Sequence, residues 1–302
     1  IDGVLWKTPA EKMYAAYHLT DPGYHTSPVR RIYVPKDKPG KFRPLGIATM
    51  RDRAVQKLHA FALQPVAETW GDSGSFGYRL FRSAKDACSA IRSYLTRTGS
   101  SIWVLRADIT ECFDRISHEW LLDHIPMNKS YLAQVLTAGY LHHGRFFPVS
   151  RGVPQGGILS PLLANMTLDG LETVLMEREI NPSQRAMGES GYNLSERLYV
   201  RYADDIVFMA PSRFIVDEAR ESTGTFLNER GLTLSAEKTR IVPIEEGFTF
   251  LHWHFRRRGA RVRVSPSRSS IRNMERKITS IFQQHSEKCP EDLICQLNPL
   301  LR

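Results

Sequence analysis

The feature that most constrains this chain is Tyr202-Ala203-Asp204-Asp205, set between two apolar arms, Leu198 to Val200 and Ile206 to Met209. Short arms rich in β-branched and aromatic residues read as strands, with the tetrad as the turn between them. Two adjacent carboxylates at such a turn repel, raise each other's pKa and destabilise the hairpin unless something positive lies beside them. A bound divalent cation offsets that repulsion. Asp also favours ordinary turns, so the tetrad alone leaves a plain hairpin open.

A further carboxylate ends a second apolar strand that starts at Ile102, in Leu105-Arg106-Ala107-Asp108-Ile109. Three carboxylates at the ends of neighbouring strands could hold two Mg²⁺ ions roughly 3.5–4 Å apart, the arrangement of polymerases and nucleases. Mg²⁺ takes hard oxygen ligands and keeps waters for a phosphate-bearing substrate. No rival metal motif is present. His142-His143 and His252-x-His254 lack Cys or carboxylate companions at ligand spacing, and Cys88, Cys112, Cys289 and Cys295 form no Cys-x-x-Cys pair. Four cysteines in 302 residues make no disulfide framework, so a reducing intracellular compartment is expected.

Net charge names the partner class. The chain carries 41 Lys and Arg against 32 Asp and Glu, a formal charge of +9, which fits nucleic acid first and a membrane surface second. The excess is concentrated in two segments. Arg30 to Lys57 holds nine basic residues against Asp37 and Asp52, and Leu251 to His285 holds nine against Glu275. The rest of the chain is therefore acidic. The longest uncharged stretch, Gly152 to Leu168, contains Pro154, Gln155, Pro161 and Asn165. It falls short of the ~20 apolar residues of a membrane span, so no membrane partner is expected. Ile1-Asp2-Gly3 has no initiator Met and no basic or apolar leader, which reads as a piece of a longer chain without a signal peptide.

Local patterns place the other elements. Arg31 to Pro35 and Phe42 to Ile47 predict a hairpin around Lys36–Gly40. Asp52 is expected to cap a helix that buries Val55, Leu58, Phe61 and Ala62. Ser83 to Asp86 matches a capping box ahead of Ala87, Ile91 and Leu95. Ser160 is expected to cap a helix with Pro161 at its first position, running on through Leu163, Met166, Leu171 and Val174. Ser212 opens another helix, which Gly231 ends. Gly259-Ala260 turns a hairpin, and a subdomain boundary falls near Ser265. Beyond it Ile271, Met274, Ile278 and Ile281 share one face of a basic helix, and Asp292 to Leu301 begins another.

In order, these blocks resemble a reverse transcriptase, and specifically that of a group II intron-encoded protein (maturase). Asp2-Gly3 resembles the end of the family's N-terminal extension motif. Arg43-Pro-Leu-Gly-Ile47 with Asp52-Arg53 and Gln56 resembles a finger motif. Asp108-Ile-Thr-Glu-Cys-Phe-Asp114 with His118 resembles palm motif A, and Gly152-Val-Pro-Gln-Gly-Gly-Ile-Leu-Ser-Pro161 with Leu163-Ala-Asn165 resembles motif B. Tyr202-Ala-Asp-Asp205 is similar to motif C. Gly231-Leu-Thr-Leu234 with Glu237-Lys-Thr239 resembles motif D, and Phe250-Leu251 with His252 to Phe255 resembles the primer grip. The family has Gly where His252 stands. Leu297 to Arg302 resembles the start of a thumb helix.

The resemblance implies an α+β right-hand polymerase. Residues 1–100 would be fingers. Residues 101–265 would be a palm, an antiparallel sheet packed on helices, with a returning finger segment and the primer-grip hairpin. Residues 266–302 would be the truncated start of an α-helical thumb. It implies an RNA-directed DNA polymerase with two Mg²⁺ held by Asp108, Asp204 and Asp205 and by Ile109 beside them. Lys36, Arg43, Ile109, Phe113 and Gln155 would meet the dNTP, with Phe113 excluding a 2′-hydroxyl, and Lys238 would protonate pyrophosphate. Arg30 and Arg31 in the first basic segment, and Arg256, Arg257, Arg258, Arg261, Arg263, Arg268, Arg272 and Lys277 in the second, would contact nucleic acid phosphates. The implied partners are an intron RNA template, a DNA or RNA primer and a DNA target site, in the bacterial cytoplasm. Separately, apolar helix surface left by the truncated thumb could pair in a homodimer. An RNA-binding splicing cofactor, an RNA-dependent RNA polymerase, and retron or CRISPR-associated reverse transcriptases are the alternatives.

Overall fold

The computed structural model describes residues 3–19, 21, 23–35, 40–97, 102–176, 196–284 and 290–301. In chain order the strands are β1 (Val29–Pro35), β2 (Phe42–Ile47), β3 (Trp103–Asp108), β4 (Tyr140–His142), β5 (Arg145–Phe147), β6 (Leu198–Tyr202), β7 (Asp205–Ala210), β8 (Arg240–Pro243), β9 (Phe248–Phe250), β10 (Trp253–Arg258) and β11 (Arg261–Pro266). They form three sheets, ordered β2-β1-β4-β5, β6-β7-β3-β8 and β11-β10-β9.

The central sheet β6-β7-β3-β8 is antiparallel throughout. The strand period of two sends Leu105, Ala107, Ile206 and Phe208 to one face, into a core that includes Leu163 and Val216 of the helices Ser160–Leu168 and Arg213–Asn228. Val104, Val200, Val207 and Met209 go to the other face, against Ile91 of the helix Ala84–Arg97 and Phe248, Phe250 and Phe255 of the third sheet. Burial on both faces explains why these strands read as continuous apolar runs. In the first sheet the β1–β2 hairpin lies antiparallel from Arg30↔Ile47 to Pro35↔Phe42. β4, far along the chain, joins β1 in parallel, so the segment around 140–147 returns to this sheet.

The capping box at Ser83 forms as expected, with Ser83 and Asp86 bonded reciprocally. Ser212 caps the helix Arg213–Asn228, and Gly231 follows it at φ +75°. Three expectations shift. Thr49, not Asp52, caps the helix Met50–Trp70, and its hydroxyl accepts from the Asp52 amide. That helix buries Val55, Gln56, Ala60, Leu63 and Ala67, while Leu58 and Phe61 are exposed. The buried stripe includes a polar residue because the Gln56 Oε1 accepts the Ile158 amide, a tertiary contact that apolar spacing does not report. Ser160 lies inside its helix with Leu159 at the cap, and the helix stops at Leu168. Gly170 at φ +93° turns the chain before a second short helix, Leu171–Met176.

The β9–β10 turn accounts for the unusual His252. Phe250 pairs directly with Trp253, leaving Leu251 and His252 as a two-residue loop at φ +46° and +71°. Such a loop matches the twist of a hairpin but places both residues in the left-handed region that favours Gly. A non-Gly residue there is strained by about 1–2 kcal/mol. His252→Gly is therefore expected to stabilise the fold by about 1 kcal/mol, read as a rise in the urea midpoint with an unchanged m-value. A lower midpoint would show that His252 makes a contact worth more than the strain.

Candidate active site

Strand register brings the acidic residues together. Asp108, the last residue of β3, lies directly opposite Asp205, the first of β7. Tyr202 closes the β6–β7 pair against Asp205, so Ala203 and Asp204 form the two-residue turn, with Ala203 at φ +56°. Asp108 is 7% exposed. Its two carboxylate oxygens accept from the Lys238 ammonium at 2.7 and 2.9 Å. The stretch that carries Lys238 is laced to the end of β3: the Thr110 amide donates to the Thr233 carbonyl, and the Ser235 amide to the Asp108 carbonyl.

Burial raises the Asp204 pKa, Asp108 raises it further, and Lys238 and Arg43 oppose the rise. Asp205 is pushed up to about 6, first by burial, with Arg106 opposing and Asp204 and Asp108 adding to the shift. The nearest Arg106 nitrogen is 3.8 Å from the Asp205 Oδ1. Burial in a partly dry cleft produces these shifts, and the neighbouring like charges add to them. Among the described residues no set of three or more His, Cys, Asp or Glu side chains is closed around a single point in the manner of a metal cage. The donor set still fits hard divalent cations in kind. It is all oxygen, it is mutually repulsive, and a cationic ammonium already sits against Asp108. Ile109 is buried in the core, so only its carbonyl could join such a set.

Arg43 is exposed on β2 and faces Asp204 closely enough to lower its pKa. Lys36 lies outside the described residues. Phe113 sits in the helical turn Cys112–Arg115 that follows β3. Gln155 donates to the Asp114 carboxylate at 2.7 Å and accepts the Gly46 amide at 2.6 Å, which ties its turn to β2. Arg30 is exposed, and the Arg31 guanidinium stacks on the Tyr140 ring at 3.4 Å.

The second basic segment forms a two-stranded face. Arg256 pairs with Arg263 and Arg258 with Arg261 across β10–β11. Arg268, Arg272 and Lys277 are exposed on the helix Arg268–Gln284. Arg257 is the correction. It points the other way, is 6% exposed and lies over the end of the helix Ala84–Arg97 near the Leu95 carbonyl. The strand period puts it with Phe255 on the core side, so it is removed from the phosphate-contacting set.

Two features had no signal in charge or periodicity. One is the fully buried Arg201 on β6, bonded to Tyr199, Asn165 and Asp169. The other is the Gly77-Tyr78 corner, packed against the Tyr202–Ala203 backbone.

Comparison with known proteins places this geometry. The family profile described as "Reverse transcriptase (RNA-dependent DNA polymerase)" matches residues 34–255. Protein YkfC of Escherichia coli (strain K12) is 32% identical over 86% of this chain and 76% of its own length. The group II intron-encoded protein LtrA of Lactococcus lactis subsp. cremoris is 29% identical over 79% of this chain and 48% of its own. A telomerase from Candida tropicalis superposes with a TM-score of 0.55 at 15% identity, over 80% of this chain and 55% of that one. The structural likeness shows the fold alone, that of a right-hand polymerase. The chain spans about half the length of LtrA and of the telomerase. No helix among the described residues is long and apolar enough to cross a membrane.

Proposed function

The chain belongs to the reverse transcriptase (RNA-dependent DNA polymerase) family, and we propose that it extends a primer on an RNA template with deoxynucleotides, as the polymerase part of a group II intron-encoded protein. The observation that carries this reading is the register Asp108↔Asp205 with Asp204 at the adjoining turn, facing Arg43 on β2.

Asp108, Asp204 and Asp205, with the Ile109 carbonyl, would hold two Mg²⁺, which stabilise negative charge at the attacking hydroxyl and on the leaving pyrophosphate. Arg43, with Lys36, binds the triphosphate, for which a guanidinium fork is suited. Phe113 closes the sugar side against a 2′-hydroxyl. Gln155 and its glycine neighbours line the base-pair side, where a backbone can approach closely. Lys238, whose amine contacts both carboxylate oxygens of Asp108, would give the leaving pyrophosphate its proton. The Arg256–Arg263 and Arg258–Arg261 pairs oppose like charges across the hairpin, an arrangement that is unfavourable alone. A phosphate backbone laid along that face removes the repulsion. Arg268, Arg272 and Lys277 extend the same surface over the helix beyond residue 266, and Arg30 and Arg31 supply the finger side.

Under this reading residues 1–100 are fingers, 101–265 palm with the returning β4–β5 segment, and 266–302 the start of a thumb. The template is the encoding intron RNA, the primer is DNA or RNA, and a DNA site is the target. Retrohoming, a homodimer and the bacterial cytoplasm belong to the same proposal. A second role, helping the intron RNA fold for splicing, is favoured by a basic face whose members are separate from the carboxylates.

The test is template-directed primer extension in Mg²⁺, with RNA and DNA templates and with dNTPs or rNTPs. Extension on RNA with dNTPs is expected. Extension with rNTPs at equal efficiency would overturn the DNA polymerase assignment.

A further inference from the structure

The loop between the helices Met50–Trp70 and Ala84–Arg97 is locked by polar contacts along its length. Arg79, 8% exposed, donates from Nε to Glu68 at 2.9 Å and from Nη1 to the Asp72 carbonyl at 3.3 Å. Arg82 donates to the carbonyls of Ser73 and Ser75 at 2.6 and 2.7 Å. The Asn165 amide holds the Gly77 carbonyl at 2.8 Å. Gly77 itself has no room for a side chain, because a Cβ there would overlap the backbone of Ala203 and Tyr202. The loop is thus seated on the turn that carries Asp204.

Tyr78 is what this scaffold presents. Its φ is +58°, a conformation unfavourable for a bulky residue, yet it remains 55% exposed and so gains little from burial. Its ring meets Phe113 edge-on, with centroids 6.3 Å apart at 87°. Its phenol is close enough to Asp204 and Arg43 for both charges to act on it. A strained, exposed aromatic held by a rigid loop against Phe113 and the Asp204 turn is arranged for a ligand rather than for the core.

We propose that Tyr78 is a positioning and specificity-determining residue of the nucleotide pocket, holding the Phe113 ring in place and walling the sugar side of the incoming deoxynucleotide. The proposal rests on the polymerase reading above. With Tyr78 in place, the edge-to-face contact keeps the Phe113 ring from tilting away from the sugar. Without it the ring can tilt and admit a 2′-hydroxyl.

The experiment compares wild type with Tyr78→Phe, Tyr78→Ala and Tyr78→Gly. It measures equilibrium binding of dNTP and the matching rNTP to the enzyme on a dideoxy-terminated primer with an RNA template, with Ca²⁺ as the divalent ion. Tyr78→Phe keeps the ring and is expected to keep wild-type discrimination. Tyr78→Ala and Tyr78→Gly are expected to weaken dNTP binding and reduce the dNTP/rNTP preference by roughly three- to tenfold. Tyr78→Gly also relieves the strained φ, so its thermal midpoint is expected to equal or exceed that of wild type, which separates lost specificity from lost folding. An unchanged preference in Tyr78→Ala and Tyr78→Gly overturns the role of Tyr78. A wild type that does not prefer dNTP overturns the polymerase reading, and this inference with it.

Discussion

Asp204→Asn is expected to reduce primer extension by about 10³-fold or more while leaving the fold intact. Removing one carboxylate from a site that concentrates cationic charge at the reacting phosphate forfeits several kcal/mol of transition-state stabilisation, and each 1.36 kcal/mol is about tenfold in rate. Asn keeps the shape of the turn and its preference for turn positions. Burial and Asp108 both raise the Asp204 pKa, so a neutral side chain relieves repulsion, and the thermal midpoint should hold or rise slightly. The basic face of β10–β11 and the helix beyond it is untouched, so RNA affinity and its salt dependence should match wild type. The informative comparison is extension rate against RNA binding on one preparation. Activity within tenfold of wild type would remove Asp204 from the catalytic set. Parallel loss of activity and RNA binding would mean that the substitution had disturbed the fold.

The site's legibility in the sequence followed from how each group is held. Asp204 and Asp205 were readable because adjacent carboxylates between apolar arms need a physical reason. Asp108 was readable because it ends a second apolar run. Strand pairing then puts it opposite Asp205, which residue order alone could not specify. The capping box at Ser83 was legible because both partners lie within three residues. The burial of Gln56 is not legible in apolar spacing, because its partner, Ile158, lies 102 residues away. Arg257 was grouped with Arg256 and Arg258 because a charge count has no period, whereas a strand has one. Tyr78 was invisible for another reason. Its importance comes from a backbone corner pressed against Ala203, and nothing in the local composition of Gly77-Tyr78 reports that approach.

The largest stability effect is expected from Arg201, which sits one residue before the Tyr202 that closes the catalytic hairpin. Its side chain is fully buried and donates to the Tyr199 hydroxyl at 3.1 Å, the Asn165 carbonyl oxygen at 3.0 Å and the Asp169 carboxylate at 2.6 Å. Its backbone pairs with Gly74 and Phe76, so one residue joins β6, the helix Ser160–Leu168 and the loop that carries Tyr78. Arg201→Met fills most of the volume but leaves a buried carboxylate and two polar atoms without their partner. Breaking a buried pair in this way costs about 3–5 kcal/mol, or a fall of the thermal midpoint by roughly 5–8 °C for a chain of this size. Replacing both partners, Arg201→Met with Asp169→Leu, should recover part of the loss: the Asp169 charge is gone, while buried Asp72 still lacks Arg201. Asp169 adds a pH signature. Burial pushes its carboxyl up to about 6 despite Arg201, whereas an unfolded Asp titrates near 3.9. The native state therefore binds this proton more tightly than the unfolded chain. The stability from protonation is present below about pH 4 and is lost as pH rises through 6. Without Arg201 that pKa rises further, so the deficit of Arg201→Met should be largest near pH 7.5 and shrink toward pH 5. A deficit below about 1 kcal/mol, or one independent of pH across that range, would show that the guanidinium does not balance the Asp169 charge.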